Sequence, residues 1–241
     1  MSTDFPPALP HREIVEVFPD IFQVTGVMAM RGARFSRNMT IVRQDGDLTL
    51  INTVRLDDDG LKALDELGAV KNVIRLGFFH DRDDPFYMDR YQGQARFWSV
   101  PDCEHGLGLQ PDEILSPDSE LPLAGASVFL LETAARPEAI LRLDRDGGIL
   151  ISCDCLQNWA RPTAEFNFMA KLMMRVMGFF KPTNVGPGWI RLAKPGAADF
   201  ERLNQLEYEH VLPSHGTPVK GDARNAYGAT FQRLFGVDPP G

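Results

Sequence analysis

The sequence predicts a mixed α/β fold built as one domain. Short apolar runs of strand length alternate with amphipathic segments of helical period. These fall into two strand-rich halves that each close on helices, and no internal stretch is rich enough in Pro or Gly to force a domain boundary. At 241 residues the chain is long enough to bury a large core. Its 44% hydrophobic and 24% charged residues exclude a disordered or membrane class. A net charge of −8 argues against a general nucleic-acid binder, because phosphate neutralisation needs clustered Lys and Arg, although a local basic patch stays open.

Residues 1–20 read as an extended N-terminal arm and 21–241 as the domain. Pro6, Pro7 and Pro10 forbid helix up to about Arg12, and without an apolar run this start predicts neither a signal peptide nor an anchor. Strands are predicted at Ile21–Val27, Met39–Arg43 and Leu48–Thr53, with Gln44-Asp45-Gly46-Asp47 as a hairpin turn. Asp57–Leu67 reads as a helix that starts on aspartates and stops at Gly68. Val70–Leu76 follows as a short buried strand. Further strands are predicted at Arg96–Val100, Ser127–Leu131, Ala139–Leu143 and Ile149–Cys153, and a short one near His210–Leu212. Ala164–Phe180 reads as a helix with Phe166, Met169, Met173, Val176 and Phe180 on the core side. The alternative for this Met- and Phe-rich segment is a substrate-groove wall or a homodimer face. With Lys171 and Arg175 inside it, Phe166–Phe180 is too short and too charged to span a bilayer. Shorter helices are predicted at Ala198–Glu207 and Asp222–Phe235, and long loops at Pro111–Pro122 and Thr183–Gly188.

Three cysteines cannot all pair within one chain, so a reduced, cytoplasmic setting is expected. Strand alternation would put Cys153 and Cys155 on one face opposite Asp154, as small buried hydrophobes rather than ligands. A redox role through them ranks last, since no cation adjoins either in sequence.

Polar residues punctuate several strand ends, where loops of α/β sheets converge on ligands. His80-Asp81-Arg82-Asp83-Asp84-Pro85 follows the buried strand, Asp154 follows Cys153, and His215-Gly216 follows Leu212-Pro213. Each has a plain reading beside a chemical one. Asp84 before Pro85 suits a helix N-cap, and His80 could simply hydrogen-bond in its loop. A buried Asp154 needs a partner, either a metal or Arg82. Tyr87, Tyr91, Trp98 and Trp159 would pack in the core or line the mouth of a site.

The ordered set resembles the metallo-β-lactamase superfamily from about Ile21 to Phe235. His80 and Asp84 match two positions of that family's His-x-His-x-Asp-His loop, with Arg82 and Pro85 at two histidine positions. Ser152-Cys153-Asp154 resembles its strand-ending aspartate, and Pro213-Ser214-His215-Gly216 its C-terminal histidine motif. Leu50-Ile51-Asn52-Thr53 is similar to an early strand motif, with Asn52 where an aspartate is usual. The segment 131–138, where a further histidine falls in the family, has none.

The resemblance implies an αββα sandwich of two mixed sheets flanked by helices. It implies a hydrolase-like protein with at most one divalent metal (zinc, iron or manganese), acting on an ester, thioester, lactone or related bond of a small molecule. Asp84, Asp154 and His215 would be the ligands, with His80 as a fourth ligand or proton shuttle. His80, Arg82 and Asp84 form the catalytic group, Arg82 serving as a fixed cation that bonds Asp84 or Asp154 and takes the place of a first metal. The competing expectation is a metal-free, non-catalytic member of the fold whose charges pair with one another. Neither reading calls for nucleic acid or a membrane.

Overall fold

The computed structural model describes residues 5–103 and 106–240, so the first four residues of the expected arm lie outside the described residues. The chain enters through β1 (Val15–Phe18), an edge strand inside the expected arm, and continues as an antiparallel meander through β2 (Ile21–Met30), β3 (Ala33–Gln44) and β4 (Asp47–Ile51). Asp45 and Gly46, at φ 53° and 87°, make the two-residue hairpin turn that Asp-Gly predicts. The chain then crosses over through α1 (Asp58–Leu67), whose cap Asp57 accepts the Gly60 N–H, and β5 (Ala69–Arg75) runs parallel to β4. After α2 (Asp84–Arg90), β6 (Arg96–Ser99) and β7 (Glu113–Ile114) extend the parallel edge of this seven-stranded sheet.

The second half repeats the scheme with fewer strands. β8 (Ala126–Leu130), β9 (Ala139–Leu143) and β10 (Ile149–Ser152) are antiparallel. A long excursion follows through β11 (Leu156–Gln157), α3 (Phe168–Val176), β12 (Asn184–Val185), α4 (Pro187–Ala193) and α5 (Ala197–Asn204), with β11 and β12 paired as a separate ribbon. β13 (His210–Pro213) returns parallel to β10, β14 (Val219–Lys220) pairs beside it, and α6 (Ala223–Phe235) closes the fold.

The strands read as continuous apolar runs because both faces of each sheet are covered. Val42, Ile51 and Ile74 of the first sheet meet Leu141, Ile149, Ile151 and Leu212 of the second in a core between the sheets. Their neighbours Ile41, Leu50 and Val73 face the other way, onto Leu61 and Leu64 of α1 and Tyr87 of α2. Ile140, Leu150 and Val211 likewise face Phe200 of α5 and Phe231 of α6. Each such side chain removed from water contributes roughly 1.5–3 kcal/mol, so the two-residue period alone stacks helix, sheet, sheet and helix. That is the αββα sandwich of two mixed sheets.

Two local expectations change. The helix predicted at Ala164–Phe180 is only Phe168–Val176: Asn167 caps its start by accepting the Ala170 N–H, and Gly178, at φ 80°, lies just past its end. Its buried residues are Ala170 and Met174, while Met169 and Val176 are 52% and 80% exposed. Large apolar residues lie on more than one side of this helix, so periodicity chose the wrong ones for the core. The small Ala170 packs instead against Phe35 and Trp159. In the predicted loop at Thr183–Gly188, Pro187 starts α4, anchored by buried Trp189.

Candidate metal centre

The C-terminal ends of β5, β10 and β13 lie at one edge of the sandwich, and Asn52 just past β4 ties them together. At φ 54° its backbone leaves the strand in the left-handed region that Asn tolerates. Its side chain accepts the Leu76 N–H at 3.0 Å and donates to Ser214 Oγ at 2.8 Å and to the Ser152 carbonyl at 3.3 Å. From β3, Asn38 donates to the carbonyls of Pro213 and Gly216 at 2.9 and 2.7 Å. The loops carrying His80, Asp154 and His215 are thereby held in register by two buried amides.

His80, Asp154 and His215 converge there. The Nε2 atoms of His80 and His215 are 3.2 Å apart, and the Asp154 carboxylate lies 3.4 Å from the first and 3.0 Å from the second. All three residues are buried. The other ring nitrogen of His215, Nδ1, is 3.2 Å from the Ser36 carbonyl. A carbonyl only accepts, so Nδ1 carries hydrogen. Trp159 packs against the His215 ring at 4.8 Å and donates to Ser36 Oγ at 3.0 Å. Cys153 completes a cluster with His80 and Asp154 whose ligand-type atoms lie within 4.8 Å of one another. Burial, reinforced by Asp154 and Glu138, pushes its thiol well above the usual range, so it stays protonated and donates to Asp154 Oδ2 at 3.4 Å.

The electrostatics separate the members. Burial drives the His80 imidazole down to about 3 against the pull of Asp154. Burial opposes ionisation of Asp154 too, yet the neighbouring histidines hold its carboxyl at about 2. At neutral pH the site holds a buried carboxylate against a neutral His80.

Arg82 and Asp84 do not take the places expected of them. The Arg82 guanidinium is partly exposed, 3.6 Å from Asp83 and 3.4 Å from the Pro7 carbonyl, so its counter-charge is Asp83 and not Asp84 or Asp154. One residue separates Arg82 from α2, and the helix start turns its side chain toward the N-terminal arm. Asp84 is the first residue of α2 and Asp83 holds the cap position, so Asp84 is not the cap. Its Oδ1 accepts the Thr53 hydroxyl at 2.6 Å and its Oδ2 faces Arg75 at 3.7 Å. Burial raises Asp84 to about 6, even though Arg75 and Thr53 favour its charged form.

Three charged residues here went unnoticed in the sequence. Arg75 ends β5 and is fully buried against Asp84. Arg37, on β3, is buried and bonded to Asp83. Their signal was an arginine inside or beside a predicted buried strand, which demands an acid partner. Both cations act on His80, lowering its pKa less than burial does. Glu138 is the third; its Oε1 accepts the Cys155 N–H at 2.5 Å, and burial beside Asp154 raises its pKa well above the usual carboxylate range.

Cys153 and Cys155 are buried as predicted, but not on one face: Cys153 lies in the inter-sheet core and Cys155 in the core under α5 and α6. β10 ends at Ser152, so strand alternation no longer governs them. Of the four aromatics proposed for a mouth, only Trp159 touches the site. Tyr87 donates to the Val54 carbonyl, Tyr91 to Asp65 and Trp98 to Asn72.

No protein-family model and no curated protein sequence matches the chain. Solved structures do. The chain is similar to the DIM-1 metallo-β-lactamase, with 16% identity, a TM-score of 0.62, and 94% of this chain and 98% of that chain covered. It is similar to the FIM-1 enzyme from Pseudomonas aeruginosa in its mono-zinc form, at 14% identity and a TM-score of 0.57 over 95% and 97% of the two chains. A metallo-β-lactamase from Erythrobacter litoralis matches at 14% identity and a TM-score of 0.55 over 92% of each. Layer order, sheet topology and these likenesses agree: the chain has the metallo-β-lactamase fold.

Proposed function

We propose that this protein is a hydrolase that works with one divalent metal, held by His80, Asp154 and His215. The observation that carries this reading is the close approach of the donors: the two Nε2 atoms lie 3.2 Å apart, Asp154 Oδ2 lies 3.4 Å from His80, and Asp154 Oδ1 lies 3.0 Å from His215. Three corners of a tetrahedron with metal–ligand bonds of 2.0–2.1 Å are about 3.3–3.4 Å apart, so the donors already stand at coordination spacing. The donor chemistry fits as well: the hydrogen on His215 Nδ1 leaves Nε2 to face the carboxylate, the outer hydrogen bond usual for a metal-bound histidine. Two imidazoles and one carboxylate suit zinc, iron or manganese.

When bound, such an ion supplies Lewis acidity toward a carbonyl or phosphoryl oxygen. The chain supplies the rest. Asp154 brings the balancing negative charge. Arg37 and Arg75, each paired with a buried aspartate, help keep the nearby His80 ring neutral and able to coordinate. Asp84, near 6, can take or release a proton close to neutral pH. Esters, thioesters and lactones of small molecules are the substrates this chemistry serves.

A second reading, a metal-free binding member of the fold, is favoured by the ion pairs Arg37–Asp83 and Arg75–Asp84, which compensate their own charges. The test is elemental analysis of natively purified protein, with hydrolysis of p-nitrophenyl ester, thioester and lactone panels before and after chelation. About one metal per chain and chelator-sensitive turnover support the first reading. A metal-free protein whose unfolding temperature ignores added zinc, iron and manganese supports the second.

A further inference from the structure

The exposed face of α3 carries large apolar side chains that the fold leaves uncovered. Phe168, Leu172 and Val176, one turn apart, are 81%, 57% and 80% exposed, with Met169 beside them at 52%. Met30, at the tip of the β2–β3 hairpin, is 49% exposed, and Met169 packs over Gly32 of the same tip. Asn167 bolts the helix to this hairpin: it donates to the Gly32 carbonyl at 2.8 Å and accepts the Arg34 N–H at 3.2 Å. The patch is therefore a fixed platform made of two elements.

Its charge is of one sign although the chain is acidic overall. Residues 166–198 contain no Asp or Glu and five Lys or Arg, and residues 21–44 contain no acid either. Lys171 and Arg175 lie exposed on α3, and Arg31 and Arg34 on the hairpin tip. The acid just before this stretch in sequence, Glu165, is paired with Arg12 at 2.7 Å. A second copy of this chain is a poor occupant, because a two-fold contact through α3 sets the same basic rim against itself. Apolar side chains flanked by Lys and Arg suit a surface that is apolar beneath and anionic above.

We infer that α3 and the β2–β3 hairpin tip form a docking face for an anionic lipid surface. No helix among the described residues is long and apolar enough to cross a bilayer. Docking in the interface plane requires no such helix. On its inner side α3 packs through Ala170 and Met174 on Phe35 and Trp159, and both rings face His215. The docking face thus sits one aromatic layer from the candidate metal centre.

The full-length chain is floated with vesicles of phosphatidylcholine alone and with vesicles that also contain phosphatidylglycerol. Wild type is expected to float with the anionic vesicles, weakly or not at all with the neutral ones, and less as salt rises. The pairs Phe168→Ser with Leu172→Ser, and Lys171→Glu with Arg175→Glu, should each reduce binding about ten-fold or more. Their melting temperatures should match wild type, because the altered side chains are exposed; should a pair unfold, the single Val176→Ser change serves in its place. Equal flotation with both vesicle types, or binding untouched by the substitutions, overturns the inference. So does a dimer in sedimentation that the α3 substitutions dissociate while vesicles bind nothing.

Discussion

Nε2 of His80 and Nε2 of His215 stand 3.2 Å apart, brought together by the loops after β5 and β13. Two ring nitrogens can approach this way if one donates a hydrogen to the other, or if both turn lone pairs on a shared cation. The Asp154 carboxylate touching both rings favours the cation. His80→Ala or His215→Ala should therefore cut bound metal from about one per chain to near none. In calorimetric titration with zinc, loss of either ligand should abolish the high-affinity isotherm. Retention of full stoichiometry in both variants would place the metal elsewhere.

His80 also predicts a pH dependence of the metal-free protein. Its folded pKa, about 3, lies below the unfolded value of 6.5. The unfolded chain thus binds the extra proton first, and stability present above pH 6.5 is lost as the pH falls toward 3. Between pH 7.5 and 5.5 the loss from this group is about 1 kcal/mol. Urea unfolding of chelated wild type and His80→Asn at both pH values measures it; the variant should lose this part of the acid sensitivity.

Arginine 75 should matter far more than arginine 82. Arg75→Met strands a buried Asp84 without its cation and should cost about 3–5 kcal/mol at pH 8. At pH 5, below the value of about 6 for Asp84, the carboxyl is protonated and the cost should shrink. Arg82→Met removes a partly exposed pair and should cost less than about 1 kcal/mol at either pH. Thermal unfolding of both variants at the two pH values checks the ranking, and a reversed order would mean that Arg82 holds the site after all.

Gly216 follows His215 at φ 101°, and a Cβ there would fall 2.1 Å from the Asn158 carbonyl oxygen. No backbone atom can yield that far without moving the loop. Gly216→Ala should destabilise the protein by at least about 2 kcal/mol and weaken metal binding by displacing His215. Gly46→Ala, at a turn with nothing within 4 Å, serves as the control because it carries only the cost of positive φ.

Much of the fold was legible in the chain itself. Short apolar runs located most of the longer strands from Ile21 onward, the Asp45-Gly46 pair the hairpin, and Asp57 and Gly68 the ends of α1, while the two-residue strands β7, β11, β12 and β14 went unpredicted. These signals are local: backbone sterics, capping and periodicity act within a few residues, so composition and spacing suffice. His80, Asp154 and His215 stood out in the sequence because each follows a predicted strand within a few residues.

Partner choice among neighbouring charges was not legible. Nothing local says that Asp84 turns to Thr53 and Arg75, that Asp83 takes Arg37, or that Arg82 leaves for the Pro7 carbonyl. Those pairings depend on β3, β5 and the N-terminal arm meeting across long stretches of sequence, and on which carboxylate sits deepest. The outward face of α3 was hidden for the same reason. Large apolar residues occupy more than one side of that helix, and its contact with β3 selects Ala170 and Met174 as the buried side. Strand and turn identity was written in neighbouring residues; the pairing of charges and the choice of buried face on a Met- and Phe-rich helix were decided by tertiary contact, because their energies depend on burial and distance that exist only once the sheets have packed.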